Sequence, residues 1–170
     1  MPHPTRIRAF VLACAMGAAA GASFAGTVDV RYAPDAVFTD AGSSPLQREA
    51  RLAALAKHLQ GLGERLLPAG QALRVDMLDL DLAGTVRIGR RGTDLRVVRD
   101  RADEPRIELR YTLSEQGQVL RSGQELVSDL NFRHLPSGYG GGEDDGLRYE
   151  KQALTQWFTQ RFGPASNTTP

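Results

Sequence analysis

Ile107-Glu108-Leu109-Arg110-Tyr111-Thr112-Leu113, followed at once by Ser114-Glu115-Gln116-Gly117, is the most regular stretch of the chain. Apolar side chains take every second position, while Arg106, Glu108, Arg110 and Thr112 take the others. That period of two belongs to a strand with one buried and one wet face. Ser114 to Gly117 supplies turn residues and Gln118 to Val127 runs back, so the stretch predicts a β-hairpin and antiparallel pairing.

Upstream, Leu73-Arg74-Val75-Asp76-Met77-Leu78-Asp79-Leu80-Asp81-Leu82 alternates too, but its phase changes between Met77 and Leu78. A β-bulge of one residue restores the phase. Leu73, Val75, Met77, Leu80 and Leu82 then share the buried face, and Asp76, Asp79 and Asp81 the wet one. Shorter strands are expected over 27–32, 85–88 and 95–98. Ser44-Pro45-Leu46-Gln47 combines an N-cap, a proline at the first helical position and a capping-box glutamine. Leu52, Leu55, Leu59, Leu62 and Leu66 follow on one stripe until Pro68 and Gly70 stop the helix, with Gly61 and Gly63 expected to weaken its last turns. A second helix carries Leu147, Leu154, Trp157, Phe158 and Phe162 on one stripe, with Asp144 or Asp145 as its cap. The central strands have connections too short for parallel crossovers. The chain therefore reads as a two-layer α+β fold, with a largely antiparallel sheet and two amphipathic helices on one face. Residues 26–162 form one domain and 163–170 a frayed tail.

The first 25 residues set the compartment. Arg6 and Arg8 lead into an apolar, small-residue run ending at Ser23-Phe24-Ala25, the pattern of a signal peptide, with cleavage expected between Ala25 and Gly26. The run is too short for a membrane span, so a periplasmic protein with no transmembrane segment after cleavage is expected. A competing reading keeps Cys14 as a lipidated N-terminus, although only five apolar residues would then follow Arg8. Cys14 is the only cysteine of the 170 residues, so the remaining 145 must be held together by packing, without a disulfide. They carry 19 basic and 20 acidic residues, a balance that provides no global field for nucleic acid.

Local clusters are the candidates for function. Arg87, Arg90, Arg91, Arg96, Arg99, Arg101, Arg106 and Arg110 place eight arginines within 24 residues, interleaved with five acids. Guanidinium matches carboxylate and phosphate oxygens in bidentate geometry, so an anionic envelope component or an envelope protein is a possible partner; pairing with the interleaved acids is the structural alternative. Arg148, Tyr149, Glu150 and Lys151, on the first turns of the last helix, are placed to form a polar constellation beside Asp129 and His134; the alternative is a structural ion pair made by Arg148 or Glu150, with Tyr149 at the core edge. Asp76, Asp79 and Asp81 lack the glycine and terminal glutamate of a calcium loop and read as a solvated strand face. Ser137 to Gly146 is glycine-rich but lacks Gly-Lys-Ser/Thr, and its three successive acids oppose an anion, so it reads as a connection. Beyond residue 25 only His58 and His134 are histidines, with no metal-binding pair and no Gly-x-Ser-x-Gly, which leaves zinc, thiol and serine hydrolysis without support. No cofactor or metal is implied.

Asp79-Leu80-Asp81-Leu82-Ala83-Gly84, Pro105-Arg106-Ile107-Glu108-Leu109-Arg110-Tyr111, Ser128-Asp129-Leu130-Asn131-Phe132 and Leu147-Arg148-Tyr149-Glu150-Lys151 with Trp157-Phe158 together resemble the DUF3016 family of exported proteobacterial proteins. The resemblance implies an exported protein of uncharacterised function. Relatives often have Gly-Glu-Glu and Asp-Met-Asn-Tyr where this chain has Gly123-Gln124-Glu125 and Asp129-Leu130-Asn131-Phe132. The expectation is a small periplasmic binding or scaffolding module. It would act through Arg90, Arg91, Arg96, Arg106 and Arg110, or through Asp129, Arg148, Tyr149 and Glu150. The rival is a carboxylate-dependent envelope enzyme.

Overall fold

The computed structural model describes residues 25–32, 38–88, 94–99, 101–132 and 145–163. The leader-like segment up to residue 24, the tail from 164, Arg90, Arg91, His134, Asp144 and most of the glycine-rich connection lie outside the described residues. The elements run β1 (Thr27–Tyr32), α1 (Pro45–Leu66), β2 (Gln71–Asp81), β3 (Thr85–Ile88), β4 (Asp94–Val97), a short 3₁₀ turn (Arg101–Asp103), β5 (Arg106–Glu115), β6 (Gln118–Ser128) and α2 (Arg148–Phe162). Four strands make the main sheet in the order β1-β2-β5-β6, and β3 and β4 form a separate hairpin.

The sheet is mostly antiparallel, as the alternation predicts. β2 pairs with β5 and β5 with β6 in that sense. The exception is β1, which runs parallel to β2 and places Val30 beside Val75. α1 is long enough to return the chain to the same end of the sheet, and such a crossover is what parallel neighbours require. The bulge falls where the phase change puts it: the β2–β5 register shifts between Met77 and Asp79. Leu73, Val75, Met77, Leu80 and Leu82 are buried together as a result, facing Ile107, Leu109, Tyr111 and Leu113 of β5. Each such side chain contributes about 1.5–3 kcal/mol on full burial.

Both helices cover this face. α1 lies against β1, α2 against β6, and the two touch each other. Leu52, Leu55, Leu59 and Leu62 are the buried stripe of α1, with Leu66 packed at its margin. The Ser44 hydroxyl accepts from the Gln47 amide, as expected of the cap, but the Gln47 side chain reaches back to Ser43 rather than to Ser44. Gly63, expected only to weaken the helix, is buried, and a Cβ there would collide with the Val28 side chain. Its bareness brings α1 close to β1. α2 buries Leu154, Trp157, Phe158 and Phe162, with edge-to-face contacts among Tyr111, Trp157 and Phe162 at 5.4–5.8 Å between centroids. Opposite Tyr111 on β6 stands Gly123, where any side chain would press on the phenol.

The start of α2 departs from expectation. Its N-cap position is Leu147, which makes no side-chain cap. Asp145 instead accepts from the Leu147 amide with Oδ1 and pairs with Lys151 through Oδ2 at 2.5 Å. Leu147 is buried, so the apolar anchor takes the cap position and displaces the acid outward.

Candidate functional site

Because α1 and α2 occupy one face, the other face of the four-stranded sheet has no helical cover among the described residues. Alternation along the strands decides what stands there: Asp29 and Arg31 on β1, Arg74 and Asp76 on β2, Arg106, Glu108 and Arg110 on β5, and Gln124 and Leu126 on β6. The charges are matched. Arg31 pairs with Asp29 at 2.7 Å and Arg74 with Asp76 at 2.9 Å, each two residues away along its own strand. Arg106 meets Glu104 at 3.3 Å. Arg110 donates to Gln124 Oε1 at 3.1 Å, and Gln124 Nε2 donates to Glu108 at 2.7 Å, so an amide bridges guanidinium and carboxylate across β5 and β6. Of the five interleaved acids, Glu104 pairs directly with Arg106 and Glu108 meets Arg110 only through Gln124, while the two pairs formed along strands, Arg31–Asp29 and Arg74–Asp76, lie outside the arginine-rich stretch. Among these polar groups stand Val119 and Leu126, 58% and 59% exposed.

Arg96 differs from the other arginines. Its Nη1 donates to the carbonyls of Leu82, Ala83 and Gly84 at 3.1 Å each, and its Nη2 pairs with Asp40 at 2.7 Å. It ties the β3–β4 hairpin to the end of β2 and to the 38–41 segment, whose Asp40 bridges to Asp81. A guanidinium so engaged holds the fold together. Nothing in the residue pattern separates it from Arg87, which is exposed on β3.

The polar constellation expected on α2 is divided in two by the helix. Tyr149 packs its ring edge-on to Phe132 at 5.1 Å, with the Arg148 guanidinium 4.5 Å above the ring and donating to the phenol oxygen. Glu150, one residue on, turns inward and is fully buried; its Oε1 accepts from the Ala83 amide at 2.8 Å. Burial pushes its carboxyl well above the ordinary carboxylate range, and the Ala83 amide and the Arg96 and Arg51 guanidiniums pull back only in part. Asp129 is buried apart from it. Its Oδ2 accepts from Gln152 at 2.6 Å and from Gln156 at 3.1 Å, while its Oδ1 accepts from the Asn131 amide and closes the turn after β6. Asp129 and Glu150 share no hydrogen-bond partner, and both are engaged in holding α2 to the sheet. Gln152 and Gln156, four apart and so one turn from each other on α2, are the hint in the sequence that Asp129 has a partner there.

Asp79 is spent as well: it accepts from the Thr39 amide and hydroxyl, both at 2.7 Å. Among the described residues no group of three or more histidine, cysteine or acidic side chains is placed to hold a metal. On the helical layer an open groove of about 530 Å³ runs between His58, Gly61, Arg65 and Lys151. His58 Nε2 lies 3.0 Å from the Lys151 carbonyl and 2.8 Å from Thr155 Oγ1, and burial lowers its pKa. Its role is to link α1 to α2.

Fold and surface define a two-layer α+β protein in which Arg96, Asp129 and Glu150 bond across elements, although Glu150 Oε2 and Gln152 Oε1 are buried without a partner, and in which one sheet face is left open among the described residues. The chain belongs to the DUF3016 family, described as "Protein of unknown function", whose model matches residues 26–160. No curated protein and no solved structure matches it. Among the described residues no helix is long and apolar enough to cross a membrane.

Proposed function

We infer that the protein is an exported module that binds or scaffolds another component of the cell envelope through the open face of its sheet. The observation that carries this reading is the one-sided cover. Three of the strands present Arg74, Arg106, Arg110 and Gln124 around exposed Leu126 and Val119, a mixed surface of the composition that protein interfaces use. Each guanidinium on this face has a carboxylate or amide partner, which suits a protein of alternating charge better than a polyanion. Export rests on the charged, apolar and small-residue pattern of residues 1–25, and the family match starting at residue 26 is in keeping with it. Asp129 and Glu150, the carboxylates an enzyme would need, are engaged inside the fold, which favours binding over acid–base catalysis.

Affinity capture after in-cell crosslinking tests the proposal, comparing wild type with Arg106→Ser/Arg110→Ser. Both side chains are exposed, and Arg110 has only the surface amide of Gln124 as partner, unlike Arg96, which lies among backbone carbonyls. The expected result is a specific envelope partner lost from the variant. Retention of the same partner by a folded variant would remove the open face from the proposal.

A further inference from the structure

The geometry points to a second copy of this chain as the occupant of the free edge of β6, paired antiparallel about a two-fold axis through Gly123. β6 ends the sheet order, and among the described residues no strand pairs with its outer side. It is 11 residues long, Gln118–Ser128, and carries neither proline nor lysine, the usual protections of an exposed edge. With a bulge at Leu120 and charges at Arg121 and Glu125, this edge is a template only for a strand that answers those charges.

The sequence specifies which strand. Val119-Leu120-Arg121-Ser122-Gly123-Gln124-Glu125-Leu126-Val127 is self-complementary about its central glycine. Antiparallel pairing of two copies on Gly123 puts Arg121 opposite the partner's Glu125 and Ser122 opposite the partner's Gln124, and the two-fold repeats both pairs. Leu120, the residue skipped where the β5–β6 register shifts, and Leu126 are 48% and 59% exposed, and they come to the two flanks of the axis. A register slipped by two residues would lose both ion pairs, so the charges specify the alignment. Arg121 and Glu125 also stand on the same side of the sheet, with Arg121 donating to the Arg161 carbonyl and Glu125 pairing with the Arg161 side chain. The result is a continuous eight-stranded sheet whose two open faces join. This dimer does not depend on the function proposed above.

Sedimentation equilibrium of the protein as recovered from cells, with and without Arg121→Glu, tests the inference. The wild type is expected to be a dimer in the micromolar range. Arg121→Glu places like charges opposite each other twice and should weaken association at least about tenfold, with the far-ultraviolet circular dichroism of a folded protein retained. A second measurement is independent of that variant. In a Cys14→Ser background, Ser122→Cys/Gln124→Cys should give a disulfide-linked dimer on mild oxidation, and Ser122→Cys/Leu126→Cys, out of register, should not. A wild-type monomer with no crosslink overturns the inference, as does a dimer untouched by Arg121→Glu or crosslinked equally by both cysteine pairs.

Discussion

Two glycines two residues apart in α1 have opposite meanings that the sequence alone does not separate. A Cβ at Gly61 would meet only the tip of the flexible Arg65 side chain, whereas at Gly63 it would run into Val28. Gly61→Ala should therefore stabilise the protein by about 0.5–1 kcal/mol through helix propensity. Gly63→Ala should cost roughly 1–3 kcal/mol by overpacking, and adding Val28→Ala should recover part of it; thermal melts of the four proteins check the set. Glu150 gives a second residue-level test. Its folded pKa lies above its ordinary value, so the native state holds the proton more tightly than the unfolded chain. Its contribution is thus fullest below the ordinary carboxyl range and declines as pH rises toward the raised value. The melting-temperature advantage of wild type over Glu150→Gln should shrink as pH rises from below the ordinary carboxyl range through the raised value. An advantage that grows over that interval would mean that the buried carboxyl is stabilised as an anion.

Among the elements, those governed by periodicity were legible in sequence and those governed by long-range partners were not. The β5–β6 hairpin, the bulge at Leu78 and the stripe of α1 follow from local alternation, because a strand or helix has to bury one side whatever it packs against. The parallel placement of β1 does not, since a short strand before a helix pairs equally well in either sense. The hairpin turn has a local test. Gln116 and Gly117 both have positive φ, at 50° and 83°, as a two-residue type I′ turn demands. Gly117→Ala should cost about 1–2 kcal/mol, while Gln116→Asn, better suited to the left-handed region, should raise the midpoint of denaturant unfolding. At the start of α2 an acid ahead of an apolar stripe looks like an N-cap, but the burial of Leu147 fixes where the helix starts and leaves Asp145 two residues ahead, accepting from the Leu147 amide.

For the molecule as a whole, sequence identified the open sheet face and the family but not the work done by individual charges. Eight arginines in a short stretch read as one surface, yet Arg96 lies among backbone carbonyls, and Arg106 and Arg110 stand on the open face beside acids. Adjacent Tyr149 and Glu150 likewise point in different directions, which helical geometry imposes on neighbours. A composition near neutrality says only that such charges are balanced. What the architecture adds is sidedness: among the described residues α1 and α2 lie on one face of the sheet and no helix lies on the other. The most direct measurement is site-specific photocrosslinking in living cells from one exposed position on each layer, Ala72 on the open face and Lys57 on the helices. Adducts with an envelope protein from Ala72 and none from Lys57 are the predicted result; adducts from Lys57 alone would contradict the account.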